Sequence, residues 1–187
     1  MEFTRPVVEA KAGEYRDEEP LYAVEQQHVE ILPGMLGEGD FGWRDVEWVV
    51  RWHYRRYLGE YPDAERRATE ERFGENSYDA IQGALEDVVD TDDDVASRVD
   101  RLTELAGVDV PVASAFLAFL DPERYLVVGE REWTVLYEAG ELSDPYPDPP
   151  TVADYESYLA TCRSVCERFD CDPWALYRAL WRLWKER

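Results

Sequence analysis

Two charged residues, Glu130 and Arg131, lie where the sequence changes from an extended segment to a helix. The extended segment covers residues 124–128 and follows Pro122, which breaks the apolar run before it. A carboxylate at such a junction can orient or activate a water molecule, and a neighbouring arginine can fix the carboxylate in place. We therefore take Glu130 and Arg131 as the candidate catalytic residues.

A second candidate site is a basic and aromatic stripe on a helix predicted over residues 43–58. At helical spacing Arg51 and Arg55 share one face, and Trp52 lies beside them. Arginine suits phosphate oxygens and a tryptophan ring can stack on a base, so these three residues form a candidate nucleic-acid surface. The alternative, which we favour, is an outer helix face whose arginines pair with nearby acids.

An acidic run suggests a calcium loop, since Asp90, Asp92 and Asp94 have the first three ligand spacings of an EF-hand. The sixth position, however, is Val95 where that loop needs glycine, and the twelfth is Arg101 where it needs glutamate. We therefore expect the run to cap a helix.

Three thiols are close together near the C-terminus, at Cys162, Cys166 and Cys171. They could hold zinc if His28 or His53 came close in space, but no CxxC pair is present and buried free cysteines are common. The chain also has no GxSxG, GxxxxGK[ST], GxGxxG or HExxH pattern. We expect neither a metal nor another cofactor.

The net charge is −22, from 42 acidic and 20 basic residues, of which only Lys11 and Lys185 are lysines. Seven tryptophans and 45% hydrophobic residues supply a core, so this is not a disordered acidic tail. The composition is typical of proteins from cells with concentrated internal salt, and it implies monovalent cations as structural partners. In molar salt the Debye length is about 3 Å, so the net charge alone does not exclude DNA as a partner.

Helical periodicity covers most of the chain and no alternating strand pattern occurs, which predicts an all-α fold. Residues 1–20 are predicted to be an extended arm and residues 21–187 a single domain. The first helix of the domain is expected to stop at Pro33-Gly34, and residues 143–150 (SDPYPDPP) to form a stiff loop. Because no signal-like or bilayer-spanning apolar segment occurs, we expect a cytoplasmic protein without a membrane partner.

The central segment resembles the helix-hairpin-helix DNA glycosylase superfamily, the endonuclease III-like proteins. That family has a helix, a turn of the type LPGVG, a second helix, a short extended link, and then an aspartate before another helix. Here the turn reads LAGVD over residues 105–109, VPVASAFL follows over 110–117, and PERYLVVGER covers 122–131. A divergent branch of the family with VPxASAxL and PxxYxVxDxR is the closer match. The resemblance implies a helix-hairpin-helix glycosylase-like domain with its hairpin at about residues 95–120.

In that family the hairpin binds a DNA phosphate, because glycines allow close approach and the amides of the second helix point at the anion. The resemblance therefore implies that Gly107, Asp109 and Val110 contact DNA. Asp109 departs from the pattern, since it takes the place of the second glycine and brings a carboxylate near the expected phosphate.

Two further departures concern the chemistry. Pro111 stands where bifunctional members have a Schiff-base lysine, and Gly129 stands where the family has its catalytic aspartate. The resemblance thus implies a scaffold that has lost its chemistry and is at most a DNA-binding module. Two alternatives stay open: an active glycosylase in which Glu130, held by Arg131, orients water or stabilises an oxocarbenium-like state, and a protein-interaction module without a nucleic-acid role. The oligomeric state is not indicated.

Overall fold

The computed structural model describes residues 3–90 and 94–187, and every regular element in these two ranges is a helix. The order is α1 (Arg5–Glu18), α2 (Tyr22–Glu38), α3 (Trp43–Arg55), α4 (Asp63–Phe73), α5 (Tyr78–Asp90), α6 (Val95–Thr103), α7 (Val110–Leu120), α8 (Glu130–Glu138), α9 (Val152–Phe169) and α10 (Pro173–Lys185). For these residues the all-α prediction is confirmed.

Helix α7 lies at the centre of the fold. Its sequence is apolar around the whole circumference, and a helix of this kind has to be surrounded by other elements. Every residue from Val112 to Phe119 is buried, and α7 contacts α2, α3, α6 and α9. Its start is defined by Pro111 in the first turn and by Asp109, whose carboxylate accepts a hydrogen bond from the Val112 amide at 3.0 Å. This fixed element positions both the hairpin before it and the link after it.

The link between α7 and α8 has a turn over residues 122–124, and residues 125–129 after it belong to no helix and pair with no strand in the described part of the chain. Its buried backbone is bonded by side chains instead. The Val128 amide donates to the hydroxyl of Ser114 at 3.0 Å, and the hydroxyls of Tyr155 and Tyr158 donate to link carbonyls at 3.1 Å each. These bonds satisfy polar groups that water cannot reach and fix the position at which α8 begins.

The prediction of an extended arm over residues 1–20 is wrong for residues 5–18, which form α1. This helix packs along α10 with Val8 and Tyr15 buried. Much of the remaining contact is ionic, because Arg182 of α10 donates to Glu18 at 2.7 Å and to Glu19 at 2.6 Å. The segment is too polar to show helical periodicity, since charge pairing with α10 replaces most of an apolar face.

Helix α2 also differs from its prediction, since it continues through Pro33 to Glu38. Proline removes one backbone hydrogen bond from a helix interior. Leu32 and Leu36, on either side of Pro33, are both almost fully buried. The apolar contacts of the following turn therefore hold the helix beyond the proline.

Two other local predictions are confirmed, a helix cap in the acidic run and a loop at residues 143–150. Asp94 caps α6 by accepting a hydrogen bond from the Ser97 amide at 2.9 Å, while residues 91–93 of the acidic run lie outside the described residues. Residues 143–150 contain no helix or strand. None of the helices in the described ranges combines the length and the apolar character needed to cross a membrane.

Candidate functional site

A cleft of about 390 Å³ lies between α3, the hairpin and the start of α8, and we refer to it as the α3–α8 cleft. Its walls include Asp109 and Pro111 of the hairpin, both candidate catalytic residues (Glu130 and Arg131), and part of the proline-rich loop. The volume is within the range of small-molecule sites, about 300–1,000 Å³. The structure thus brings the candidate catalytic residues together with one of the three hairpin residues singled out in the sequence.

The two candidate catalytic residues have different surroundings in this cleft. Glu130 is the first residue of α8, is exposed, and has no basic partner among the described ion pairs. Arg131 is buried and donates to Glu60 at 2.5 Å, with its guanidinium over the ring of Tyr57 at 4.7 Å. Arg131 therefore holds Glu60, and the expectation that it fixes the Glu130 carboxylate is not met.

Gly129, at the position of the family's catalytic aspartate, is enclosed by three side chains. A Cβ atom there would overlap Nη2 of Arg56, and it would lie 2.7 Å from Oε2 of Glu132 and 2.9 Å from the Tyr57 hydroxyl. Arg56 and Glu132 form a buried ion pair across this space, with Nη1 and Oε1 2.6 Å apart. A side chain at 129 would therefore force the ends of these three side chains to move.

The hairpin is packed differently from a phosphate clamp. Gly107 has φ +74°, and a Cβ there would lie 2.7 Å from the Phe73 nitrogen and 2.8 Å from the Thr69 oxygen. The close approach that this glycine allows is therefore an approach to the backbone of α4. Asp109 has φ −97° and caps α7, so it does not adopt the left-handed conformation that a glycine at this position could take.

The amides at the start of α7 are largely occupied. Pro111 has no N–H, the Val112 amide donates to the Asp109 carboxylate, and the Ala113 amide donates to the Asp109 carbonyl at 2.8 Å. Val110, the first residue of the helix, is half-buried. The phosphate contacts that the resemblance implies for Gly107, Asp109 and Val110 would thus have to displace internal bonds of the hairpin.

The candidate nucleic-acid surface on α3 is not assembled either. Trp52 is 2% exposed, donates to Oε2 of Glu25 at 3.1 Å and packs against Phe119 and neighbouring rings, so it cannot stack on a base. Arg51 pairs with Glu47 at 2.8 Å, as expected for an outer helix face. Arg55 is exposed, but it projects without the expected aromatic neighbour. The alternative of arginines paired with nearby acids is confirmed at Arg51.

Five aromatic side chains are part of the lining of the α3–α8 cleft, and none of them was among the site residues expected from the sequence. Tyr54, Tyr57 and Tyr61 follow one another at helix-like spacing, with ring centroids 4.8 Å apart for Tyr54 and Tyr61 and 5.6 Å for Tyr57 and Tyr61. Tyr146 of the proline-rich loop and Trp184 of α10 complete the aromatic lining. The i, i+3, i+7 recurrence of tyrosine from residue 54 is the sequence signal that could have revealed it.

Five carboxylates also line this cleft: Glu60, Glu65, Asp109, Glu130 and Asp148. Arg131 is the single cation of the lining in the described structure, and it pairs with Glu60. Burial, and then the negative charge of nearby carboxylates including Glu65 and Asp109, raise the pKa of the Tyr61 hydroxyl. The cleft is therefore a region of negative potential with aromatic walls.

His53 adds an unused hydrogen-bonding group to the lining. His53 is among the residues that line the cleft, it is 4% exposed, and its buried Nδ1 has no hydrogen-bond partner among the described residues. Burial, followed by the charge of Arg56, lowers its pKa well below the usual value, so the imidazole is neutral near pH 7. A neutral imidazole can accept a hydrogen bond from a cationic donor.

The three cysteines are free thiols, Cys162 buried and the other two half-buried. Cys166 and Cys171 line a different surface depression, while His53 lines the α3–α8 cleft. Within residues 3–90 and 94–187, no three histidine, cysteine, aspartate or glutamate side chains are grouped so that they could hold a metal ion.

Comparison of the chain with protein-family models, curated proteins and solved structures finds no match.

Proposed function

We propose that the chain is a helix-hairpin-helix glycosylase-like scaffold without glycosylase chemistry, and that it acts as a binding module. The occupied space around Gly129 carries this proposal. The resemblance places the catalytic aspartate at this position, but the Arg56–Glu132 pair and Tyr57 fill the volume that its side chain would need. The nearby Pro111 has no amine, so imine formation at the family's lysine position is also excluded.

DNA is the partner that the resemblance implies, and we propose that any contact with DNA avoids the hairpin amides. Gly107 faces the backbone of α4, and the Val112 amide already donates a hydrogen bond to the Asp109 carboxylate. A phosphate at the hairpin would also meet the Asp109 carboxylate, and only close contacts matter in concentrated salt. Binding through this hairpin is therefore the least favoured way for the protein to hold a nucleic acid.

A second candidate function, base excision by Glu130, is favoured by one observation. Glu130 keeps an exposed carboxylate in the α3–α8 cleft, one residue after the family's catalytic position. Against it, Arg131 pairs with Glu60 and therefore does not orient the Glu130 carboxylate for this role. Tyr57, whose ring could face an extruded base, is also engaged with Arg56 and Arg131.

The two functions are separated by base-release assays on a panel of damaged duplexes in molar KCl, together with borohydride trapping. We expect no released base and no trapped covalent complex. Electrophoretic mobility shift against intact and abasic duplexes under the same conditions measures DNA binding separately, and the absence of any shift would remove DNA as the partner.

A glycosylase would be recognised by the behaviour of two variants with a matched control. Base release that is lost in Glu130→Gln, but retained in Arg131→Ala and in the distant Glu156→Gln, would make Glu130 the catalytic carboxylate and overturn the proposed function.

A further inference from the structure

We propose that the α3–α8 cleft binds a linear aliphatic polyamine. The inference rests on the proposed function in one respect, namely that this cleft is a binding site and not a base-excision site. It is carried by the charges of the lining, their spacing, the aromatic walls and the unused nitrogen of His53.

The first argument is uncompensated charge. Glu65, Asp109, Glu130 and Asp148 line the cleft, and none of them has a basic partner within 4 Å among the described ion pairs. The remaining carboxylate, Glu60, uses the only cationic side chain of the described lining, Arg131. Four carboxylates that share one cleft repel each other, and a bound polycation would remove this repulsion.

The second argument is the spacing of these carboxylates. They are not grouped closely enough for three of them to hold one metal ion, within the part of the chain that the structure describes. Separate carboxylates around a cleft of about 390 Å³ match a ligand whose positive charges are also separate. A chain of amines joined by short methylene segments has this property, whereas a single metal ion or a small ammonium ion does not.

The third argument concerns the aromatic side chains that line the cleft together with the carboxylates. Tyr61 and Tyr146 line the cleft and are half-buried, whereas the ring of Tyr57 already contacts Arg56 and Arg131. Ammonium groups are attracted to aromatic faces, and methylene groups are favourably buried against them. A polyamine presents both kinds of group in alternation, so carboxylates and rings would each have a partner along its length.

His53 supplies an independent indication that the cleft holds a ligand. A buried nitrogen without a partner carries a desolvation cost that a bound donor would remove. Nδ1 of His53 is such a nitrogen; the residue is among those that line the cleft, and its lowered pKa keeps the imidazole neutral near pH 7. An amine N–H can donate to it.

Other ligands fit less well. A phosphate-bearing ligand would meet four carboxylates, and Arg131 is already paired with Glu60. A lysine- or arginine-rich protein segment has the right charge. Stable protein interfaces, however, bury about 800 Å² of surface per partner, and the wall of a cleft of about 390 Å³ has much less surface than that.

The proposal is tested by titrating the intact chain with spermidine in about 1 M KCl, where the Debye length is about 3 Å and diffuse attraction to the acidic surface is suppressed. Calorimetry and tryptophan fluorescence follow the binding, since Trp184 lies in the cleft wall. We expect one spermidine per chain. The double variant Glu130→Gln/Asp148→Asn should bind about tenfold more weakly, a loss equivalent to about 1.4 kcal/mol.

A control variant of the same charge separates the cleft from the rest of the surface. Asp100→Asn/Glu156→Gln removes one aspartate and one glutamate that are exposed and outside the cleft, and it should bind spermidine as the wild type does. Equal weakening in both double variants, or many spermidines per chain, would show diffuse association and overturn the proposal.

The aromatic wall has its own test at Tyr61. Tyr61→Phe keeps the ring face and should retain the affinity, whereas Tyr61→Leu removes it and should weaken binding about fivefold. Melting curves of each variant show whether the fold is intact. Binding of Mg²⁺ or of an oligo-lysine peptide that depends on Glu130 and Asp148, without binding of spermidine, would contradict the polyamine assignment. Base release with normal spermidine binding would instead overturn only the proposed function.

Discussion

Arg56 and Glu132 form an ion pair inside the protein, with Nη1 and Oε1 2.6 Å apart and side chains that are 1% and 0% exposed. The guanidinium of Arg56 also lies over the ring of Tyr57 at 4.8 Å, and its Nε donates to the carbonyl of His53 at 3.2 Å. The pair joins the C-terminal end of α3 to α8. The pair occupies the space next to Gly129. The buried ion pair and the lack of a side chain at the family's catalytic position therefore depend on each other.

Removing one partner of this pair should strongly destabilise the fold. Arg56→Met and Glu132→Gln each leave a buried group without its partner, and we expect each to lower the free energy of unfolding by about 3–5 kcal/mol. The double variant Arg56→Met/Glu132→Gln should recover part of the loss, since no uncompensated charge remains. Urea denaturation at one fixed KCl concentration measures these values. Single variants within about 0.5 kcal/mol of wild type, the range of ordinary surface substitutions, would contradict the prediction.

Adding a side chain at position 129 should disturb the same pair. We expect Gly129→Ala to cost about 1–3 kcal/mol, since the methyl group overlaps Arg56 and approaches Glu132. Gly83→Ala is the control, because a Cβ at Gly83 in α5 meets nothing within 4 Å and should stabilise the helix by up to about 1 kcal/mol. Both values come from urea denaturation. Gly129→Asp, which restores the family's residue, should be destabilised and should still release no base.

Glu25 should make the stability depend on pH. It is buried and accepts hydrogen bonds from Tyr15 at 3.0 Å, Trp52 at 3.1 Å and Arg178 at 3.2 Å. Burial raises its pKa from the usual 4.5 to about 7, despite the opposing effect of Arg178. The folded protein therefore binds more protons than the unfolded chain between these values, and its stability falls as pH rises through this window.

The rise in the pKa of Glu25 determines how much the free energy of unfolding changes across this window, which is about 3 kcal/mol at most. In Glu25→Gln the group no longer titrates, so the decline between pH 4.5 and 7 should be smaller by this amount. Glu156→Gln, an exposed position on α9, should leave the decline unchanged. Urea denaturation across this pH range provides the comparison. An identical pH dependence in Glu25→Gln and wild type would show that Glu25 is not the responsible group.

The excess of acidic residues should make the fold depend on salt. The chain has 42 acidic and 20 basic residues, and the repulsion among unpaired acids weakens as the Debye length shortens. We expect the melting temperature to rise steadily from dilute to multi-molar KCl. A melting temperature that does not change with KCl would count against adaptation to concentrated salt.

The sequence predicted those parts of the fold in which apolar periodicity determines the structure. Helix α7 is apolar on all sides and is buried where expected, and Asp94 of the acidic run caps the helix that follows it. The sequence did not predict α1, because charge pairs with α10 replace most of its apolar face. Ion pairs between distant helices leave no periodic signal in either one.

The candidate site was only partly predictable for a similar reason. Glu130 and Asp109 belong to the segment of residues 105–131 that carries the resemblance, and they do lie in one cleft. The burial of Trp52, the Arg56–Glu132 pair and the partner of Arg131 depend on how α3 packs against α8 and α10. Local spacing showed which side chains share a helix face, but it could not show which of those faces meets another helix.

The last prediction separates a packing role for the hairpin glycine from a phosphate-binding role. Gly107 and Gly140 have nearly the same backbone conformation, with φ +74° and +76°, but a Cβ at Gly140 meets nothing within 4 Å. Alanine at either position has to adopt a left-handed conformation, which costs about 1–2 kcal/mol. At Gly107 the methyl group would also lie 2.7 Å from the Phe73 nitrogen and 2.8 Å from the Thr69 oxygen, so α4 has to move.

We therefore expect Gly107→Ala to lower the free energy of unfolding by about 1–3 kcal/mol more than Gly140→Ala does, the usual range for overpacking a close contact. Urea denaturation of both variants at one KCl concentration measures the difference, and mobility shift with duplex DNA is measured in parallel. If Gly107 instead allowed a DNA phosphate to approach the hairpin, the two variants would be equally stable. Gly107→Ala alone would then lose affinity for DNA. That outcome would contradict the assignment of Gly107 to the contact with α4 and restore the hairpin as a nucleic-acid site.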